Sequence, residues 1–282
     1  MKRRNALKHT ALGLLGLSMP TILTAETMAP RTIVHPHRSG NIPNYWPNIN
    51  PELVSEVVGN SHFNLERVKE LVEARPELAR SVWEWRFGDF ESAIGAASHV
   101  GRRDIVLYLL NKGARPSIHT FAMLGAHEVI KQMVAVAPGI QTTMGPHGIS
   151  VLDHAYVGER MKEDLSSAEL DNVKRTIDYL ESLGDAGGAS YIEETKEEQA
   201  KFLGDYKYGE GDQEGFSIKL NMRAKMALGP LGGFGGALHK LKENLYTYNG
   251  APSVNVTFAM DGDVVKSLTL TDPVASITAS KV

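Results

Sequence analysis

Residues 92–114 read SAIGAASHVGRRDIVLYLLNKGA. Ile94 and Ala97 form one short apolar face, and beyond Gly101 the residues Ile105, Val106, Leu109 and Leu110 recur at helical spacing, which predicts two short helices back to back. Gly113 stands where a helix ends in a left-handed cap. Related patterns flank this stretch. Upstream, Val68, Leu71 and Val72 space out an amphipathic helix; downstream, Val129, Ile130, Met133 and Val134 do the same after Gly125. Further on, residues 147–155 (HGISVLDHA) open another short helix, and Val173, Ile177, Leu180 and Leu183 form a second one before Gly184. After the linker Asp185-Ala186-Gly187-Gly188 and an acidic helix near residues 191–202, the period changes from helical to alternating. FSIKLN, SVNVTFAMDG and VVKSLTLT are short runs bounded by Gly, Asp, Asn and Pro, and Asp261-Gly262 signals a hairpin turn.

Residues 92–114 resemble an ankyrin repeat. Ser92 takes the place of the repeat's threonine, Ile94 of its leucine, and Ala96-Ala97, Gly101, Ile105-Val106, Leu109-Leu110 and Gly113-Ala114 fall in step. Ala93 and Gly95 replace its proline and histidine; in the next unit His119 holds the histidine position. The resemblance implies four stacked units, enough to bury a continuous core. The spacing is uneven, with Gly101 and Gly125 only 24 positions apart against the roughly 33 of an ankyrin repeat. Much of residues 60–155 is also similar to a group of uncharacterised bacterial exported ankyrin-like proteins that share the run Trp83-x-Trp85-x-Phe87-Gly88-Asp89, a similarity that implies no activity. The tail resembles the small β module appended to some serine β-lactamase-like proteins, through Leu203-Gly204-Asp205-Tyr206 and through Val256-Thr257-Phe258 before the Asp-Gly turn.

The expected fold class is therefore α+β, an N-terminal ankyrin-like helical repeat array followed by a small antiparallel β-sheet or open-barrel domain. The expected divisions are a twin-arginine-like signal peptide over 1–29, an extended linker over 30–50, the repeat domain over 51–188 and the β-rich domain over 189–282. The signal reading rests on Lys2, Arg3, Arg4 and Lys8 ahead of an apolar stretch at 11–23, too short to span about 30 Å of hydrocarbon. Arg3-Arg4-Asn5-Ala6-Leu7-Lys8 resembles a twin-arginine motif, with Ala6 in place of the usual Phe. A periplasmic or otherwise exported location follows, with no membrane span once the signal is removed.

Charge and composition narrow the function by exclusion. Thirty Lys+Arg against 33 Asp+Glu give a net charge of −3, and removing residues 1–29, with four basic groups and Glu26, moves it to −6. Neither value supplies an electrostatic footprint for nucleic acid. With no Cys in the chain, disulfides, thiolate metal sites and a cysteine nucleophile are excluded. No Ser-x-x-Lys or Gly-x-Ser-x-Gly occurs, and His127-Glu128 lacks the second histidine of a zinc helix. Ser150, Asp153 and His154 share one short helix and cannot converge as a triad. His62, His99, His119, His127, His147 and His154 read as structural, His35 and His37 lack a third ligand, and the glycines around 229–236 precede no phosphate-binding helix.

What is left is an exported, non-enzymatic interaction module using an ankyrin-like concave surface, with no catalytic residue, metal or cofactor and with another exported protein as partner. The alternatives are a small-ligand binder using the β-rich domain and an accessory component of a hydrolase. The expected contact surface is the connection at 80–91 with its neighbouring unit: Trp83, Trp85, Arg86, Phe87, Asp89, Phe90, His99 and Arg102. Large aromatics and Arg are the residue types that dominate binding hot spots.

Overall fold

A computed structural model describes residues 42–233 and 235–282. The signal-like segment, His35, His37 and the first part of the expected linker lie outside the described residues. The chain divides into a unit over 1–46, whose described part is a turn closed by Trp46 N–H on the Pro43 carbonyl at 3.1 Å, and a second unit over 47–282.

The second unit opens with helices α1 (Pro51–Asn60) and α2 (Leu65–Ala74), each started by an asparagine side chain that accepts a backbone N–H, Asn50 from Glu52 and Asn64 from Arg67. A hairpin of β1 (Val82–Glu84) and β2 (Phe90–Ser92) follows, and Ser92 then caps α3 (Ala93–His99) through the Gly95 N–H. Next come α4 (Arg103–Asn111), α5 (Ile118–Met123), α6 (His127–Val136), α7 (Val151–Val157) and α8 (Ser167–Leu183). Reciprocal capping boxes start α7 (Ser150 with Asp153) and α8 (Ser166 with Glu169). Gly101, Gly113, Gly125 and Gly184 all adopt positive φ at helix ends, as the sequence pattern requires.

The ankyrin-like array expected over 51–188 does not form. The first helices of successive pairs begin at Pro51, Ala93, Ile118 and Val151, at unequal intervals, and the β1–β2 hairpin and four 3₁₀ turns interrupt them. The buried apolar residues fall into two clusters rather than one continuous core. One gathers Val57, Val68, Leu78, Ile94, Ile105 and Leu109; the other gathers Ile118, Ile130, Val151, Ala155 and Leu180. The physical reason is that amphipathic spacing and a glycine cap specify any antiparallel helix pair, whereas a repeat array also needs a constant period. That period is missing.

After α9 (Lys196–Ala200) the chain forms eight strands: β3 (Gly204–Lys207), β4 (Gly215–Leu220), β5 (Met226–Pro230), β6 (Gly236–Lys242), β7 (Leu245–Tyr248), β8 (Asn255–Asp261), β9 (Val264–Thr271) and β10 (Ser276–Lys281). They pair in an antiparallel meander that β10 closes onto β3, through Ser280 opposite Lys207 and Lys281 opposite Tyr206. The barrel is closed, not the open sheet or barrel expected, and closure leaves no edge strand to protect. Its interior is filled by Tyr206, Ile218, Leu238, Tyr246, Phe258 and Leu268 among others, with Phe202 packed on the Tyr246 and Phe258 rings. Among the described residues no helix is long and apolar enough to cross a membrane.

Candidate metal centre

Four side chains from four different segments converge beside the β1–β2 hairpin. His62 comes from the loop after α1, Glu91 from β2, His99 from the last turn of α3, and His147 from the 3₁₀ turn Pro146–Gly148 ahead of α7. One ligand atom from each lies within 4.8 Å of all the others. Glu91 Oε1 is 3.0 Å from His99 Nδ1 and 3.3 Å from His147 Nε2, and Glu91 Oε2 is 3.5 Å from His62 Nε2. Donors bound to one ion at 2.0–2.2 Å stand about 3 Å apart at right angles and about 3.4 Å apart at tetrahedral corners. The three separations to Glu91 match neighbours in one coordination shell, and the widest in the group, up to 4.8 Å, would have to close by a few tenths of an ångström around an ion.

Three features show that the group is built rather than incidental. Glu91 is fully buried and His99 nearly so, and Glu91 Oε1 and His99 Nδ1, although 3.0 Å apart, are not aligned as a hydrogen bond and have no other hydrogen-bond partner. A buried carboxylate oxygen and an imidazole nitrogen left in this state carry a desolvation cost that a cation between them would offset. Second, the outer nitrogens of two histidines are fixed. His147 Nδ1–H donates to Asp89 Oδ2 at 2.7 Å, and His62 Nδ1–H donates to the Gly59 carbonyl at 2.9 Å. A carbonyl can only accept, so the neutral His62 ring carries its proton on Nδ1 and turns Nε2 inward; Asp89 likewise holds a proton on His147 Nδ1, and the second proton that this ring carries on Nε2, facing Glu91, would leave when an ion binds. Third, the backbone is held in rare conformations at the site. Phe87 and His147 adopt positive φ of 54° and 58°, a cost that surrounding contacts must sustain. His147 is held there by its own N–H, which donates to Asp89 Oδ1 at 2.8 Å.

The electrostatics follow from this layout. Burial pushes the Glu91 carboxyl up, but the His147 and His99 rings beside it outweigh burial and hold it well below the usual carboxylate range. Burial pushes His147 down, yet Asp89 and Glu91 more than reverse this and raise it to about 10. His99 is lowered, chiefly by burial. Two further histidines, His119 and His154, pack together with ring centroids 4.8 Å apart and planes tilted by 60°. Burial, and then His119, push His154 down to about 3. His154 Nδ1–H donates to the Ser150 carbonyl at 2.7 Å and His119 Nε2–H to the Thr143 carbonyl at 3.1 Å, while His154 Nε2 is buried without a partner.

The expected contact residues divide around this centre. His99 is a member of it, and Trp85 and Asp89 are its immediate supports: the Trp85 indole N–H donates to Glu91 Oε2 at 2.7 Å. Trp83 packs on the first helical core, and the Phe87 ring meets Tyr248 of the barrel edge-on at 5.1 Å. Arg86 lies near Tyr248 as well, where it acts on the phenol. Phe90 is 65% exposed. Arg102 is turned elsewhere, paired with Asp104 at 2.6 Å and donating to the Phe63 carbonyl. Instead of projecting, the connection folds back as a hairpin, with Trp85 N–H on the Asp89 carbonyl at 3.0 Å. A cavity of about 510 Å³ is lined by Asp89, Phe87 and His119 but by none of the four converging residues.

Sequence reasoning passed over Glu91 entirely and treated His62 and His147 as structural. The available signal was an acidic pair at alternate positions, Asp89-x-Glu91, on either side of Phe90 in an aromatic-rich run. Comparison with protein-family models finds no match, and comparison with curated proteins finds none either, so the functional reading rests on this geometry.

Proposed function

We propose that the protein binds one divalent first-row transition-metal ion through His62 Nε2, Glu91, His99 Nδ1 and His147 Nε2. The observation that carries the reading is the convergence of these four donors within 4.8 Å around a buried carboxylate oxygen that has no hydrogen-bond partner. Three imidazoles and one carboxylate suit zinc and its neighbours; calcium and magnesium take oxygen ligands. Glu91 and His99 form the floor, with side chains 0% and 9% exposed, while His62 and His147, at 23% and 28%, form the side that faces solvent. An ion would enter between those two rings. Asp89 and the Gly59 carbonyl fix the orientation of both entry rings through Nδ1, so their geometry needs little change, while the proton on His147 Nε2 would be released as the ion binds.

The test is calorimetric titration of the chelator-treated chain with Zn²⁺ and with Co²⁺. One ion per chain is expected, with Glu91→Gln and His147→Ala each losing at least 100-fold in affinity. A wild-type chain that binds neither ion, or a Glu91→Gln variant that binds as the wild type does, overturns the reading.

A further inference from the structure

The supports of the centre do not end in the helical part. Asp89, whose side chain is only 8% exposed, accepts three hydrogen bonds, two from His147 and one from the barrel. The third donor is Asn249 Nδ2, at 2.8 Å from Asp89 Oδ2, the same oxygen that receives His147 Nδ1–H. Asn249 is itself fixed. It follows β7 in the left-handed region at φ 47°, where asparagine is among the few residues that sit at low cost. Its Oδ1 accepts the Ala237 N–H at 2.6 Å and its own N–H donates to the Ala237 carbonyl at 2.7 Å, so both backbone and side chain are clamped to β6.

The surrounding contacts hold this junction close. A Cβ placed on Gly148, the residue after His147, would lie 2.6 Å from the Asn249 carbonyl oxygen, so the two backbones meet where only glycine fits. Beside it the Phe87 ring stands on Tyr248, whose hydroxyl accepts the Gly236 N–H at 2.9 Å. The line Ala237–Asn249–Asp89–His147 is therefore a continuous run of short hydrogen bonds from a barrel strand to a converging imidazole.

We infer that Asn249 is a positioning residue of the metal centre, acting through Asp89 on His147, so that metal binding and docking of the barrel on the helical part are thermodynamically linked. The inference rests on the metal reading. Asp89 needs Asn249 to keep Oδ2 aimed at His147 Nδ1. Without the amide the carboxylate can turn, and the imidazole loses the partner that fixes its tautomer and raises its basicity. Linkage then runs both ways: an ion that tightens His147 against Asp89 must tighten the barrel junction by the same factor.

The experiment uses the full chain and three measurements. Asn249→Gly removes the amide while keeping the left-handed backbone. It should weaken Zn²⁺ binding 10–100-fold, as outer-shell losses do, and should shift the visible bands of the Co²⁺-loaded chain. Val265→Ala, a packing loss at the far end of the β8–β9 hairpin, serves as control for mere destabilisation and should leave affinity and bands unchanged. In the wild type, Zn²⁺ should slow hydrogen exchange at the Ala237 amide, and this measurement stands even if Asn249→Gly fails to fold. Wild-type affinity and spectrum in Asn249→Gly, an equal affinity loss in Val265→Ala, or exchange at Ala237 indifferent to Zn²⁺ each overturn the positioning role while leaving the metal site standing. No binding by the wild type removes the metal reading, and this inference with it.

Discussion

The indole N–H of Trp85 donates to Glu91 Oε2 at 2.7 Å within the turn of the β1–β2 hairpin, and this bond aims Glu91 Oε1 at His99 and His147. A buried carboxylate with two acceptor oxygens would otherwise be free to rotate. The hairpin thus places both the carboxylate and the group that orients it.

Trp85→Phe keeps the ring and removes the donor. A hydrogen bond to a charged group contributes about 1.5–3 kcal/mol, so the variant should lose that much in denaturant unfolding. Its Zn²⁺ affinity should fall by about 10–100-fold, less than for Glu91→Gln, because only an outer-shell bond is lost. Unchanged stability and unchanged binding together would show that the bond does not orient Glu91.

Acid should destabilise the protein before most carboxylates titrate. His239 is buried against Tyr191, its Nε2 has no hydrogen-bond partner, and burial, aided by Arg223, pushes it down to about 4. The unfolded chain carries the ordinary histidine value of about 6.5 and binds more protons between the two values. The contribution of His239 is therefore full above about pH 7 and falls as pH drops from 6.5 towards 4, by on the order of 3 kcal/mol. His154, lowered to about 3, adds to the same slope. Thermal melts from pH 7 to pH 4 in the presence of chelator should show the loss, and His239→Gln should reduce the slope. A flat wild-type profile would show that these rings are hydrated.

Ile105 and Leu109 are fully buried in the first helical core. Truncating either to alanine should cost about 2–5 kcal/mol in denaturant unfolding. Losses below about 0.5 kcal/mol at both sites would place them at the surface.

Export is a proposal that rests on the sequence alone, since Arg3 and Arg4 lie outside the described residues. Replacing both with Lys should leave full-length precursor inside the cell, detectable by fractionation and blotting. Unchanged export of that variant, together with loss when the general secretory route is blocked, would move the signal to the ordinary pathway.

Local grammar was legible from the residues themselves. Apolar spacing around Ile105 and Leu109, glycine caps at 101, 113, 125 and 184, and the Asp261-Gly262 turn all specify structure within a few residues of where they stand, because helix faces, caps and hairpins are short-range objects. Tertiary structure alone decided three further things. Whether helix pairs stack as a repeat depends on a constant interval and a shared core, and here the intervals differ and the cores are separate. Whether a meander closes depends on β10 reaching β3 across the whole tail. The metal centre needs His62, Glu91, His99 and His147 to meet from four segments, with Asn249 supporting Asp89 from a residue 160 positions away. No local pattern encodes that meeting, because each of these histidines alone has the spacing and surroundings of a structural one. Only packing sets their donor atoms around the same buried carboxylate.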